Sequence, residues 1–147
     1  MLAKALKQQG TLVYFEPARI ETNADMECVA ASDIIKFSGE NIPDASFIDS
    51  FDGKLFIQTL GADGIRFKLG KAEWVTLPPV RNDHFVDYEG AGDWTTSAFI
   101  HYICSNDVLS VSAMNAQFIR EALEEAQLLA SKSVSYLGSK GLIHAKE

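Results

Sequence analysis

The chain has 147 residues, 47% of them hydrophobic and 22% charged, with a formal net charge of -7. One domain of ordinary size with a real core fits that composition, and a disordered or low-complexity chain does not. The acidic balance excludes a nonspecific nucleic-acid binder, which needs excess lysine and arginine to meet phosphates, and no apolar run approaches the roughly 20 residues that span a bilayer.

Residues 2 to 9 read as the last turns of an amphipathic helix, ended by Gly10. "TLVYF" (11 to 15) is a continuous apolar run with β-branched and aromatic members, and it reads as a buried parallel strand. Residues 23 to 31 read as a short helix with Thr22 or Asn23 as N-cap. "DIIKF" (33 to 37) and "KLFIQTL" (54 to 60) are two more buried strands. "GADG" (61 to 64) is a turn, and "IRFKL" (65 to 69) then alternates apolar with polar. "GK" at 70 and 71 predicts a two-residue hairpin turn into "AEWVTL". A loop, "PPVRNDH", precedes a buried helix over 91–104 and a long helix over 114–136. The tail carries weak structure signals.

This order predicts one α/β domain over 1–147, a three-layer sandwich whose sheet is mostly parallel, with an antiparallel β-hairpin added. The chain begins inside a helix that feeds a strand, so it reads as a domain entered partway. Sheet edge and apolar surface left open in that way predict self-association, as a homodimer or larger homo-oligomer. "MLAKALKQQG" is too short and polar for a signal peptide. Cys28 and Cys104 lie far apart in apolar contexts and read as buried thiols of a reducing compartment, so the expected location is cytoplasmic.

Gly90, Ala91 and Gly92 stand directly before Asp93 and the helix. A helix start carries unsatisfied N–H groups and partial positive charge, and small residues let an anion approach that backbone. Together they make a phosphate cradle. A carboxylate at that place cannot bind phosphate, because the charges repel, but it can take the proton of an attacking hydroxyl. The bland alternative is a glycine turn with Asp93 as N-cap. His84 reads as a solvated loop residue; His101, Trp94 and Phe99 read as packed helix residues. The histidines show no zinc spacing, and Ser97 has no nucleophile-elbow context.

The element does not stand alone. "VDYEGAGDWTTSAF" resembles the V-D-T-T-G-A-G-D-A-F signature of the ribokinase-like (PfkB) carbohydrate kinases. "FEPARI" (15 to 20) resembles that family's F-D-x-N-x-R strand end, with Glu16 for Asp and Ala18 for Asn. "SDIIKFSGENI" (32 to 42) resembles its A-D-I-L-K-x-S-x-x-E segment, in which Glu40 stands one place from the expected acid. "TLGADGI" (59 to 65) resembles its T-L-G-x-x-G turn, and "LLASKSVSYLGSKG" (128 to 141) its closing helix. These segments fall in the family's order and correspond to its C-terminal, nucleotide-binding half. Tyr88 and Glu89 replace the signature's two threonines.

The resemblance implies ATP-dependent phosphoryl transfer to a hydroxyl of a sugar or sugar-like substrate, with ATP and Mg2+ as donor system. It implies Asp93 as catalytic base and Gly90, Ala91 and Gly92 as the anion hole. It also implies Thr59, Gly61 and Gly64 along the nucleotide's phosphates and ribose, with Ala130 and Ser131 near the adenine. Weak turnover or none is expected of this chain alone. The other reading is a noncatalytic nucleotide- or anion-binding module that self-associates or pairs with a partner.

Overall fold

The structure, a computed structural model, describes residues 2–145. Its centre is two apolar runs, β2 (Ile34–Ser38) and β3 (Leu55–Thr59), paired in parallel from Ile34↔Leu55 to Ser38↔Thr59. Side chains alternate across a strand with period 2, and here both faces are covered. Ile34, Leu55 and Ile57 point to one core, while Ile35, Phe37 and Phe56 point to the other. β1 (Tyr14–Phe15) pairs in parallel with β2. β4 (Ile65–Leu69) and β5 (Val75–Leu77) add antiparallel pairings on the far side of β3. The strand order is β1-β2-β3-β4-β5. Since β5 reverses β4, four of the five strands point the same way, so the sheet is mostly parallel.

One face is covered by α3 (Ala91–Ser105) and α4 (Ala116–Ser133), which runs back against α3. Phe99 and Ile103 of α3, and Ile119, Ala122, Leu123 and Ala126 of α4, seal it. Burial of one such large side chain contributes roughly 1.5–3 kcal/mol. The other face is covered by α2 (Asn23–Ala31), through Val29, and by the single-turn helix Ser46–Ser50, through Ile48. The fold is the expected three-layer α/β sandwich with its hairpin.

Local chemistry sets the boundaries. Thr22 starts α2 in a capping box: its hydroxyl accepts from Asp25 N–H at 3.2 Å, and Asp25 accepts from Thr22 N–H at 2.8 Å. α1 (Leu2–Gln8) ends at Gly10, whose φ of 80° suits a Schellman closure, with Thr11 N–H donating to Leu6 and Gly10 N–H to Lys7. No residue of α1 is buried.

Four expectations need correction. β1 is two residues long and half-buried, not a buried strand over 11–15. Val13 N–H is taken by the Asp33 carboxylate at 2.9 Å instead of a ladder partner, and Pro17, with no N–H, follows soon after. The hairpin link spans 70–74 instead of two residues, because β4 and β5 cease pairing at Phe67↔Val75. Ala72 N–H closes a turn onto the Leu69 carbonyl at 3.1 Å, and the Arg66 guanidinium stacks 4.4 Å above Trp74. The second long helix is 116–133, not 114–136, since Asn115 accepts from Phe118 N–H at 2.9 Å and fixes the start there. Cys28 is half-buried and Cys104 exposed, so neither is a core thiol.

Candidate functional site

Gly90 is the N-cap of α3, with a left-handed φ of 80°. A Cβ there would stand 2.5 Å from Ser139 Cβ and 2.7 Å from Ser139 Cα. Glycine is therefore required twice, by its backbone and by the approach of the 138–141 turn. Gly92 is different. It is helical and exposed, and an added Cβ would meet Lys36 Nζ at 3.6 Å and Glu16 Oε1 at 4.0 Å, ordinary contacts.

Among the backbone donors, Ala91 N–H gives to the Tyr88 carbonyl at 3.1 Å, and Trp94 N–H to the Gly90 carbonyl at 2.9 Å. Gly90, Gly92 and Asp93 N–H have no acceptor among the described residues and are free donors at this helix start, whereas the N–H of Ala91, expected in the anion hole with Gly90 and Gly92, is already taken. Asp93 lies exposed in the first turn. No side chain caps α3, so Asp93 is not the N-cap of the bland alternative. It forms no ion pair among the described residues.

Under this turn lies a polar network, one of several places where buried polar groups interrupt the apolar interior. Lys36, in the middle of β2, has its side chain 3% exposed. Its ammonium pairs with Glu16, one residue past β1, and donates to the Gly92 carbonyl at 3.1 Å. Thr96 Oγ1 lies 2.6 Å from Glu16 Oε2 and 3.1 Å from the Gly92 carbonyl. Tyr14 OH lies 3.4 Å from Thr96 Oγ1, and burial pushes its phenol well above the usual range. β1, β2 and α3 thus meet at one charged joint.

The residues expected on the nucleotide side gather at the neighbouring strand end and along α4. Thr59 ends β3, and its carbonyl accepts from Gly39 N–H at 2.8 Å. Gly61, with φ 60°, opens the turn. Gly64 has φ 97°, and a Cβ there would sit 2.3 Å from the Leu77 carbonyl oxygen, so packing against β5 already demands glycine. Gln127 of α4 donates to the Pro78 carbonyl at 3.2 Å beside that turn. Ala130 and Ser131 follow in the last turn of α4, half-buried, where the Ser131 carbonyl accepts from Asn82.

A strap joins this group to α3. Val86 and Asp87 N–H both donate to the Val134 carbonyl, and Gly138 N–H donates to Asp87 at 2.9 Å. Trp94 Nε1–H donates to the Ser139 carbonyl at 2.9 Å. N–H donors from Glu89 and Gly138 hold the Asp87 carboxyl below its usual range. Asp93 and the Thr59–Gly64 turn share the carboxyl edge of the sheet, and no hydrogen bond links them among the described residues.

The fold has counterparts among solved structures. The chain is similar to a ribokinase from Giardia lamblia, at 21% identity and a TM-score of 0.76, over 94% of this chain and 51% of that one. It is similar to a fructokinase from Vibrio cholerae O395 with bound fructose, ADP and calcium, at 21% identity and a TM-score of 0.73, over 93% and 49%. It is also similar to an aminoimidazole riboside kinase from Salmonella enterica, solved with aminoimidazole riboside and an ATP analogue, at 19% identity and a TM-score of 0.67, over 93% and 50%. The fold is ribokinase-like. The chain spans about half the length of the structures it matches. No protein-family model matches the sequence, and no curated protein is significantly similar to it.

In this ribokinase-like fold, Glu16, Ser38 and Thr59 lie at the carboxyl ends of β1, β2 and β3, the edge where open α/β sheets bind ligands. The Gly90–Asp93 element is set at that edge by Lys36. His84 is solvated as expected, and Phe99 is core. Trp94 is half-buried, while His101 is exposed on α3 instead of packed in the core. Sequence reasoning did not single out Lys36, Thr96 or Ser139; for Lys36 the signal was a charge inside the apolar run "DIIKF".

Proposed function

We propose that this chain is the nucleotide-side part of an ATP-dependent phosphotransferase acting on a hydroxyl of a sugar or sugar-like compound. The observation that carries the reading is the start of α3: free backbone N–H groups that include those of Gly92 and Asp93, an exposed Asp93 in the same turn, and a side-chain-free approach at Gly92. They stand at the ligand edge of a fold similar to those of kinases solved with ADP or an ATP analogue.

In this reading the Asp93 carboxylate accepts the proton of the substrate hydroxyl. The freed oxygen forms a bond to the terminal phosphorus of ATP as the bond to the bridging oxygen breaks, and ADP leaves with that electron pair. Gly92 and Asp93 N–H, with the dipole of α3, stabilise the charge on the transferred group. Thr59, Gly61 and Gly64 flank the phosphates and ribose, and Ala130 and Ser131 the adenine. Among the described residues there is no group of three metal-ligating side chains. Magnesium fits as an ion carried by phosphate oxygens and water, with Glu40 the nearby exposed carboxylate in sequence, and it would neutralise phosphate charge.

A second reading, a nucleotide-binding module completed by another chain or a second copy, is favoured by the length relation to the matched structures and by the short, half-buried edge strand β1. Titration with ATP and magnesium, followed by ATP consumption over a sugar panel, separates the two. Sugar-stimulated ADP release supports the kinase reading, binding without turnover supports the module, and absence of binding overturns both.

A further inference from the structure

The Lys36 ammonium is buried deep in a strand, yet it faces the start of α3. An ammonium has three N–H donors. Two are accounted for, by Glu16 and by the Gly92 carbonyl, and the third meets no acceptor among the described residues. The position that a Cβ of residue 92 would occupy lies 3.6 Å from Nζ. A side chain at 92 would therefore rest against the ammonium, which with glycine there is separated from the helix start by backbone alone while the Lys36 side chain stays 3% exposed. Glu16 is the counter-ion, with its side chain 35% exposed. A buried charge pair is a weak source of net stability, since desolvation offsets most of the attraction. Its location where β1, β2 and α3 meet calls for another reason.

We propose that Lys36 is a positioning residue for the transferred phosphoryl group. Its ammonium ties the first turn of α3 to β2 and holds positive charge beneath the free N–H groups of Gly92 and Asp93, while Glu16 moderates that charge. The inference rests on the phosphotransferase reading. It adds a statement about strength: the affinity of the helix start for a polyphosphate is set by the balance between Lys36 and Glu16. Thr96, in reach of both Glu16 and the Gly92 carbonyl, keeps the pair in register.

Two substitutions separate this role from scaffolding, because they predict opposite signs. Lys36→Met keeps length and apolar bulk and removes the charge. Glu16→Gln keeps shape and removes the counter-charge. Calorimetric titration of the chain with ATP, and with inorganic pyrophosphate, reads the affinity, and a melting curve reads stability. Lys36→Met is expected to weaken binding about tenfold or more, the scale for losing one near charge in a partly buried site. Glu16→Gln is expected to tighten it by roughly threefold, although both variants melt lower. Losses in both variants, in step with lost stability, would overturn the role of Lys36 and leave the phosphotransferase reading standing. A parent that binds neither probe overturns both. Should Lys36→Met fail to fold, Glu16→Gln decides alone: tighter binding supports the proposal, and equal or weaker binding sinks it.

Discussion

Gly90→Ala and Gly92→Ala add the same methyl group two residues apart, and the structure assigns them opposite consequences. At 90, an L residue would enter the left-handed region, which costs about 1–2 kcal/mol. The methyl would also stand 2.5 Å from Ser139 Cβ, so Ser139 has to move. Ser139 is fixed by Trp94 Nε1–H donating to its carbonyl at 2.9 Å, and its neighbour Gly138 by a hydrogen bond to Asp87. Loss of one such bond costs about 1 kcal/mol, so the total is about 2–3 kcal/mol. For a chain of this length that corresponds to a fall of roughly 5–15 °C in melting temperature. At 92 the backbone is helical and the contacts at 3.6 and 4.0 Å are ordinary. Alanine is favoured over glycine in a helix by about 1 kcal/mol, so the melting temperature should hold or rise slightly. Thermal unfolding followed by circular dichroism measures both. Equal melting temperatures for Gly90→Ala and parent would refute the packing of the 138–141 turn on α3. An equal fall in both variants would refute the distinction between a glycine needed for folding and one that leaves room.

The remaining expectations concern binding, catalysis, acid and assembly. Gly92→Val should fold yet lose affinity for ATP by roughly tenfold or more through blocked approach to the free N–H groups; titration checks it, and parental affinity would return the element to a mere helix start. Asp93→Asn should melt like the parent, since Asp93 caps nothing, and bind nucleotide equally or more tightly. In a preparation with sugar-dependent turnover it should lower the rate by roughly 100-fold or more, the scale of a lost general base; unchanged turnover removes Asp93 from that role. Asp25 and Asp87 have folded-state pKa values held below the ordinary 3.8 by N–H donors, so they stabilise the fold above that value and lose the effect as pH falls below it. Acid unfolding of Asp87→Asn should therefore be less steep with pH there, and an unaltered curve would contradict the Gly138–Asp87 contact. Light scattering should show a dimer or larger species, from the open edge at β1; a clean monomer would contradict it.

The parts of the fold legible in the sequence were those in which a local pattern and the tertiary context agree. β2 and β3 are apolar on both faces, and both faces are buried, so their runs gave strand and burial together. β1 carried the same pattern in "TLVYF", but pattern does not say whether a neighbour exists on each side. It lies at the edge, and the Asp33 carboxylate takes the N–H that a longer ladder would have used. The hairpin failed for a related reason. "GK" satisfies the rule for a two-residue turn, yet β4 carries its last residues past the end of β5, paired only with β3. His101, on the helix that follows Asp93, reads from the sequence as a packed residue. The face that packs is instead Thr95, Phe99 and Ile103, which leaves His101 outside.

The candidate site shows a sharper limit of such reading. In "EGAGD" the two glycines look interchangeable, as small residues making room for an anion. The structure divides them. Gly90 is small because Ser139 approaches and because the cap is left-handed; Gly64 is small because the Leu77 carbonyl approaches. Neither glycine by itself argues for a ligand. Gly92 is the one whose missing side chain no packing explains, and it is the one beside an ammonium that packing does not explain either. A lysine in a central strand contradicts the local apolar pattern and needs desolvation offset by partners, so a fold keeps one where chemistry or specificity requires it. Two departures from local rule, a helical glycine and a buried lysine, meet within 4 Å of each other at the free N–H end of α3. That coincidence, more than the G-x-G-D spacing, is the physical argument for the proposal that this end of the helix holds an anion.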